Sequence, residues 1–193
     1  MKKVYIIHGW DGSPQEPLLQ WLKDSLTSKG YEAKVPAMPN PEEPEIEAWL
    51  KALHDNLPDS VDENIILVGH SIGCQAVLRY LERLPQVSKI CGLLLLAPWM
   101  ELDQQTLKEE GEEVKKVARP WMETPIDFTK VKSMVGKVVA IFSDNDPYVP
   151  LAQKDLFARE LGAEIIIEHN RGHFDPSSRV KELSSALEAI LKF

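Results

Sequence analysis

Leu67-Val68-Gly69-His70-Ser71-Ile72-Gly73-Cys74-Gln75 joins two segments of different period. Upstream, IILV (65–68) is an uninterrupted apolar run of the kind a strand buried on both faces requires. Downstream, IGCQAVLRYLERL (72–84) carries a helical pattern. Ser71 stands at the junction in a Gly-X-Ser-X-Gly pattern. That pattern alone recurs by chance, but a strand before it and a helix after it form the setting of a nucleophile elbow. A turn this tight brings flanking side chains into collision, so Gly69 and Gly73 are needed on either side. The turn lifts the hydroxyl above the sheet, over a helix N-terminus whose free N–H groups and dipole favour negative charge. The blander reading has Ser71 capping the helix and the glycines serving only close packing.

The same alternation runs along the whole chain. VYII (4–7), LLLL (93–96), VVAIF (138–142) and III (165–167) read as further buried strands. Tyr31–Val35 alternates apolar and polar residues, as an edge strand with one wet face does. Between the runs the period is helical: Leu18, Leu22 and Leu26; Ile46, Trp49, Leu50, Leu53 and Leu57; Leu156, Phe157 and Leu161; Val180, Leu183, Leu187 and Ile190. The order β-α-β-α predicts an α/β fold, an open parallel sheet between two helical layers, in one domain spanning residues 1–193. Two segments break the rhythm. PAMPNPEEP (36–44) holds four prolines and reads as a loop. Residues 98–135 exceed a simple crossover and contain a charged stretch, QTLKEEGEEVKKVAR, between Trp99 and Trp121. This segment is either a solvated helix with a loop or a small cap with those tryptophans lining a pocket, since such sheets bind ligands at the carboxyl ends of their strands.

Bulk properties narrow the function. The chain has 193 residues, 44% of them hydrophobic, which suits a globular core. Lys and Arg number 22 against 30 Asp and Glu, a net charge of −8 that disfavours nucleic acid or an anionic membrane surface as partner. No apolar stretch nears the roughly 20 residues that span a bilayer. MKKVYII looks briefly like a leader, but its apolar run is short and no small-residue cleavage site follows, so it reads as a first strand. Cys74 and Cys91 lie in apolar segments and read as buried, reduced thiols of a cytoplasmic protein. A monomer is the default expectation.

A serine needs a base, and the base an orienting carboxylate; in this elbow type the acid precedes the histidine in the chain. After VVAIF comes Ser143-Asp144-Asn145-Asp146-Pro147-Tyr148-Val149-Pro150, and after III comes Glu168-His169-Asn170-Arg171-Gly172-His173-Phe174. Both segments leave strand ends on the side of the Ser71 turn. Asp144 and Asp146 compete for the acid role, His169 and His173 for the base, and Gly172 lets the loop around His173 approach the elbow closely. The two histidines lie in a loop without a thiolate or carboxylate cluster, so no metal and no cofactor is expected. A tetrahedral intermediate needs aimed N–H donors, one from the residue after the nucleophile, Ile72, and one from the loop after the first strand, His8-Gly9-Trp10-Asp11-Gly12. His8 reads as orienting that loop by a hydrogen bond, and His70 and Cys74 read as structural.

IIHGWDGSP, VGHSIGC, FSDNDPYVP and RGHF together resemble the α/β-hydrolase superfamily over nearly the full length. More narrowly, they are similar to the compact serine hydrolases grouped with retinoblastoma-binding protein nine and its bacterial relatives. The resemblance implies Ser71 as nucleophile, Asp146 as acid, His173 as base and the backbone of Trp10 as second oxyanion donor. It also implies a short form of the fold, a three-layer αβα sandwich with six parallel strands ordered 2-1-3-4-5-6. The side chains expected to line the pocket are His8, Asp11, Trp99, Trp121 and Tyr148. The expected reaction is hydrolysis of an ester, thioester or activated amide on a small-molecule acyl substrate, with activity rising as a histidine base becomes neutral. The competing reading is a protein-binding module on a hydrolase scaffold with little turnover. Transfer of the acyl group to an alcohol or amine is a third.

Overall fold

The computed structural model describes residues 1–58, 61–85 and 88–193. Six parallel strands form one sheet: β1 (Lys3–Ile7), β2 (Glu32–Lys34), β3 (Ile65–His70), β4 (Ile90–Leu96), β5 (Val135–Ser143) and β6 (Glu164–Glu168). Their spatial order is β2-β1-β3-β4-β5-β6. The central strands β3 and β4 are buried almost throughout, because right-handed crossovers cover both faces with helices. Register brings the strand ends level. Ile7 pairs with Gly69, His70 with Leu96, Leu96 with Ile141 and Ser143 with Glu168. The loops that follow β1, β3, β4, β5 and β6 therefore emerge side by side.

One helical layer is α1 (Pro17–Ser28) packed on α8 (Ser184–Leu191). The other is a row in which α2 (Ile46–Asn56) packs on α3 (Ile72–Arg83), α3 on α6 (Phe128–Ser133) and α6 on α7 (Gln153–Leu161). The apolar stripes account for these contacts. Leu18, Leu22 and Leu26 of α1 and Trp49, Leu50 and Leu53 of α2 are buried. Pro17 occupies the first turn of α1, where its missing N–H costs nothing.

Three expectations change. Ile165–Ile167 is only partly buried and Ile167 is 39% exposed, because β6 is the second edge of the sheet. Val180 and Leu183 are buried but precede α8, so the helical stripe starts later than its spacing suggests. Cys91 is half-buried, with its thiol donating to the Phe193 carbonyl at 3.2 Å. Cys74 is fully buried and its thiol donates to Gly69 and Leu96 carbonyls at 3.1 and 3.3 Å, and burial pushes its pKa well up.

Residues 98–135 fold into α4 (Gln104–Glu110), α5 (Glu112–Glu123) and then α6. Gly111 separates α4 from α5 with φ of 97°, a left-handed turn that lets the two helices pack on each other. The far end of α5 is tied down by Arg79 of α3. That guanidinium donates to the Trp121, Thr124 and Pro125 carbonyls at 3.0, 2.7 and 3.3 Å and to Gln75 Oε1 at 2.9 Å. Arg79 thus satisfies carbonyls that the end of a helix leaves without partners. No helix among the described residues is long and apolar enough to cross a membrane.

Candidate active site

Ser71 sits at the β3–α3 junction with φ 53° and ψ −122°. An L-residue rarely adopts this conformation, which is that of the first central residue of a type II′ turn, where glycine is normal. The neighbouring glycines make it feasible. A Cβ on Gly69 would stand 2.6 Å from Cys74 Cα, and one on Gly73 would stand 2.6 Å from the His8 and Ile7 carbonyl oxygens. Backbone would have to shift in either case. The hydroxyl makes no cap to α3. It is turned instead toward His173.

Ser71 Oγ lies 2.9 Å from His173 Nε2, and His173 Nδ1 lies 2.8 Å from Asp146 Oδ2. The other Asp146 oxygen, Oδ1, accepts from the Tyr148 and Val149 amides at 2.9 and 3.0 Å. The carboxylate is therefore held by its own loop and has one oxygen left for the imidazole. All three groups are shielded: Ser71 is 6% exposed, and the side chains of His173 and Asp146 are 10% and 2% exposed. The rival pair, Asp144 and His169, meets elsewhere. His169 Nδ1 is 2.6 Å from Asp144 Oδ2 on the surface, and the Asn170 amide donates to Asp144 Oδ1 at 2.9 Å. With Ser143 accepting from the Arg171 amide and Asn145 from the Gly172 amide, these contacts stitch the β5 and β6 loops together. That stitching holds His173 against Asp146.

Trp99 follows β4 and is 1% exposed; its indole N–H donates to Ser71 Oγ at 3.3 Å. The β1 loop lies opposite. Trp10 lines the cavity while its indole N–H donates to the Glu42 carbonyl at 2.9 Å, and the Asp11 amide donates to the Pro41 carbonyl at 2.8 Å. Ile72 opens α3, so its amide has no acceptor within the helix. His8 does not face the cavity. It is 1% exposed, its Nδ1–H donates to the Gly9 carbonyl at 2.9 Å, and its Nε2 accepts from the Met38 amide at 3.0 Å. Burial lowers its pKa, in keeping with a neutral ring that pins the β1 loop to the proline loop. His70 Nε2 donates to the His173 carbonyl at 2.7 Å, supporting the base loop from below, and burial, then the nearby His173, lowers the His70 pKa to about 4.

A cavity of about 380 Å³ opens over Ser71 and His173. Asp11, Trp10, Trp99 and Tyr148 line it, and Leu107, Val114 and Val117 of α4 and α5 contribute apolar wall. Trp121 does not reach it. That ring is fully buried at right angles to Trp49 and donates to the Pro44 carbonyl at 2.8 Å, so it serves as the anchor of α5. Glu16 also lines the cavity, 6% exposed, and was absent from the residues singled out in the sequence. Glu16 stands at the N-cap of α1, and its Oε1 accepts from the Ser13 amide at 3.0 Å, a contact within the turn before the helix. Among the described residues, no group of three or more His, Cys, Asp or Glu side chains is arranged to hold a metal ion.

The family model described as serine hydrolase matches residues 4–191. A Bacillus subtilis (strain 168) protein described as a candidate hydrolase, YdeN, is 32% identical over 173 residues, covering 90% of this chain and 86% of its own length. The rat serine hydrolase RBBP9 is 26% identical over 186 residues, 95% of this chain and 87% of that one. The crystal structure of YdeN superposes with a TM-score of 0.86 at 27% identity, over 100% of this chain and 98% of that one. The Butyrivibrio proteoclasticus protein Est1E, solved with ferulic acid bound, shares the fold with a TM-score of 0.71 at 17% identity, over 100% and 89% of the two chains.

Proposed function

The chain belongs to the serine hydrolase family, and from that membership we propose that it cleaves an ester, thioester or activated amide through an acyl-enzyme on Ser71. The observation that carries the reading is the unbroken chain of hydrogen bonds from Asp146 through His173 to Ser71. His173 Nε2 takes the Ser71 proton as Oγ attacks the carbonyl carbon. The amides of Ile72 and Trp10 hold the oxyanion. Collapse of the tetrahedral intermediate expels the leaving group, which receives the proton from His173. His173 then activates water, whose attack frees the acid and returns the proton to Ser71. Asp146 keeps the Nδ1–H tautomer and steadies the imidazolium.

A cavity of about 380 Å³ walled by α4 and α5 suits a small-molecule acyl substrate. Reaction of the protein with a fluorophosphonate, read by intact mass and peptide mapping, tests the proposal. A single adduct on Ser71, absent in Ser71→Ala, supports it. A folded protein without an adduct would overturn it in favour of a binding role.

A further inference from the structure

The cavity wall is built from several separate parts of the chain, and each brings carboxylates to it. Glu16 comes from the start of α1, Glu42 and Glu43 from the proline loop, Glu110 and Glu113 from the two sides of the α4–α5 turn, and Asp175 from the loop after His173. Not one Lys or Arg lines the cavity among the described residues, although the chain has 22 of them against 30 acidic side chains. General acidity of the surface does not produce so one-sided a wall.

The uncharged polar groups point the same way. The Trp10 indole N–H is spent on the Glu42 carbonyl, the Thr106 hydroxyl on the Pro147 carbonyl and the Trp99 indole N–H on Ser71 itself. Apart from Ser71 and His173, the two oxyanion amides and the Tyr148 hydroxyl, what remains are acceptors. His70 is 3% exposed and lines the cavity, and since its Nε2 carries the proton donated to the His173 carbonyl, its Nδ1 carries a buried lone pair and adds no donor to the wall. That Nδ1 has no partner among the described residues. Glu16 Oε2 lies 4.0 Å from it, too far for a hydrogen bond, while Oε1 is held by Ser13. Glu16 is nine-tenths buried, and burial raises its pKa. A positive charge arriving in the cavity would favour its ionised form.

Resting on the serine hydrolase reading above, we propose that the site selects cationic substrates: an ester, thioester or amide bearing an ammonium group, drawn in by the Glu42, Glu43, Glu110 and Glu113 rim and held over Glu16. A carboxylate-bearing substrate of the same size is repelled by the same wall.

Three fluorophosphonates of matched size test this, with tails ending in a trimethylammonium, a tert-butyl or a carboxylate group. The second-order rate constant for adduct formation on Ser71 is measured for each. The expected order is cationic, neutral, anionic, with about tenfold or more between the extremes at low salt. The spread should shrink as ionic strength rises from about 0.02 to about 0.5 M. It should also shrink in a chain carrying Glu42→Gln, Glu43→Gln, Glu110→Gln and Glu113→Gln, each of which keeps size and removes charge. Equal rates for the three probes, or an order that ignores salt, would overturn the charge preference and leave the hydrolase reading standing. No adduct from any probe would overturn both.

Discussion

Ser71 holds a backbone conformation that suits glycine, φ 53° with ψ −122°, and this has a measurable cost in stability. A non-glycine residue in such a region is strained by about 1–3 kcal/mol. Replacing Ser71 by Ala removes the hydroxyl and its contacts but keeps Cβ and the strain. Replacing it by Gly removes the same contacts and the strain together, at a cost of roughly 0.5–1 kcal/mol in unfolded-state entropy. The Gly variant should therefore be the more stable of the two by up to roughly 2.5 kcal/mol, typically about 1, the reverse of the ordinary Ala-over-Gly order. For a chain of this size that difference raises the melting temperature by a few degrees. Thermal melts of the two variants, monitored by circular dichroism, measure it directly. Neither variant should form a phosphonate adduct. An Ala variant that melts above the Gly variant would refute the claim that the elbow stores strain at Ser71.

Asp146→Asn should leave the fold intact and lower kcat by about 10³–10⁴-fold, since the amide cannot hold the His173 tautomer; steady-state kinetics on a neutral ester would show this. Gly73→Ala would press a methyl against the Ile7 and His8 carbonyls, costing about 1–3 kcal/mol, visible in the melting temperature. Arg79→Met should destabilise by about 3 kcal/mol or more, because three carbonyls at the end of α5 lose their donor; urea denaturation would report it. His70 gives a pH dependence of definite sign. Its folded pKa of about 4 lies below the ordinary value of 6.5, so between these pH values the unfolded chain binds a proton that the folded chain does not. Stability contributed by the neutral ring is thus lost as pH falls through that window, by up to about 3 kcal/mol. The difference in unfolding free energy between the wild type and His70→Gln should narrow by that amount from pH 7 to pH 4, and a constant difference would sink the assignment.

The succession of strands and helices and the elbow are readable because each rests on a local pattern, whereas the strand order follows only from the family resemblance. Ile65–Val68 is uniformly apolar, Gly69 and Gly73 flank a serine, and a helical stripe starts at once. The loop residues after β5 and β6 could be listed from sequence, but the choice among them could not be made from spacing alone. Asp144 pairs with His169, and Asp146 with His173, across loops that Ser143 and Asn145 cross-link. Glu16 is not legible in the sequence, since a carboxylate before a proline looks like an ordinary surface residue; it is buried beside Gly12 of the β1 loop. In the sequence Trp121 looks like a cavity wall, because a tryptophan in a long insertion suggests one. The orientation of α5, set by Arg79 and the Pro44 carbonyl, turns it the other way. These outcomes depend on contacts between segments far apart in the chain, which carry no local period.

Arg79 has one more consequence. It lies on α3, the same helix whose first turn follows Ser71, and it grips the distal end of α5. Roof and reactive oxygen therefore share a single frame of reference. A substitution that displaces α3 would be expected to displace both together. At its other end α5 joins α4 through Gly111, and α4 is tied in turn to the loop after β5, where the Thr106 hydroxyl donates to the Pro147 carbonyl at 2.7 Å.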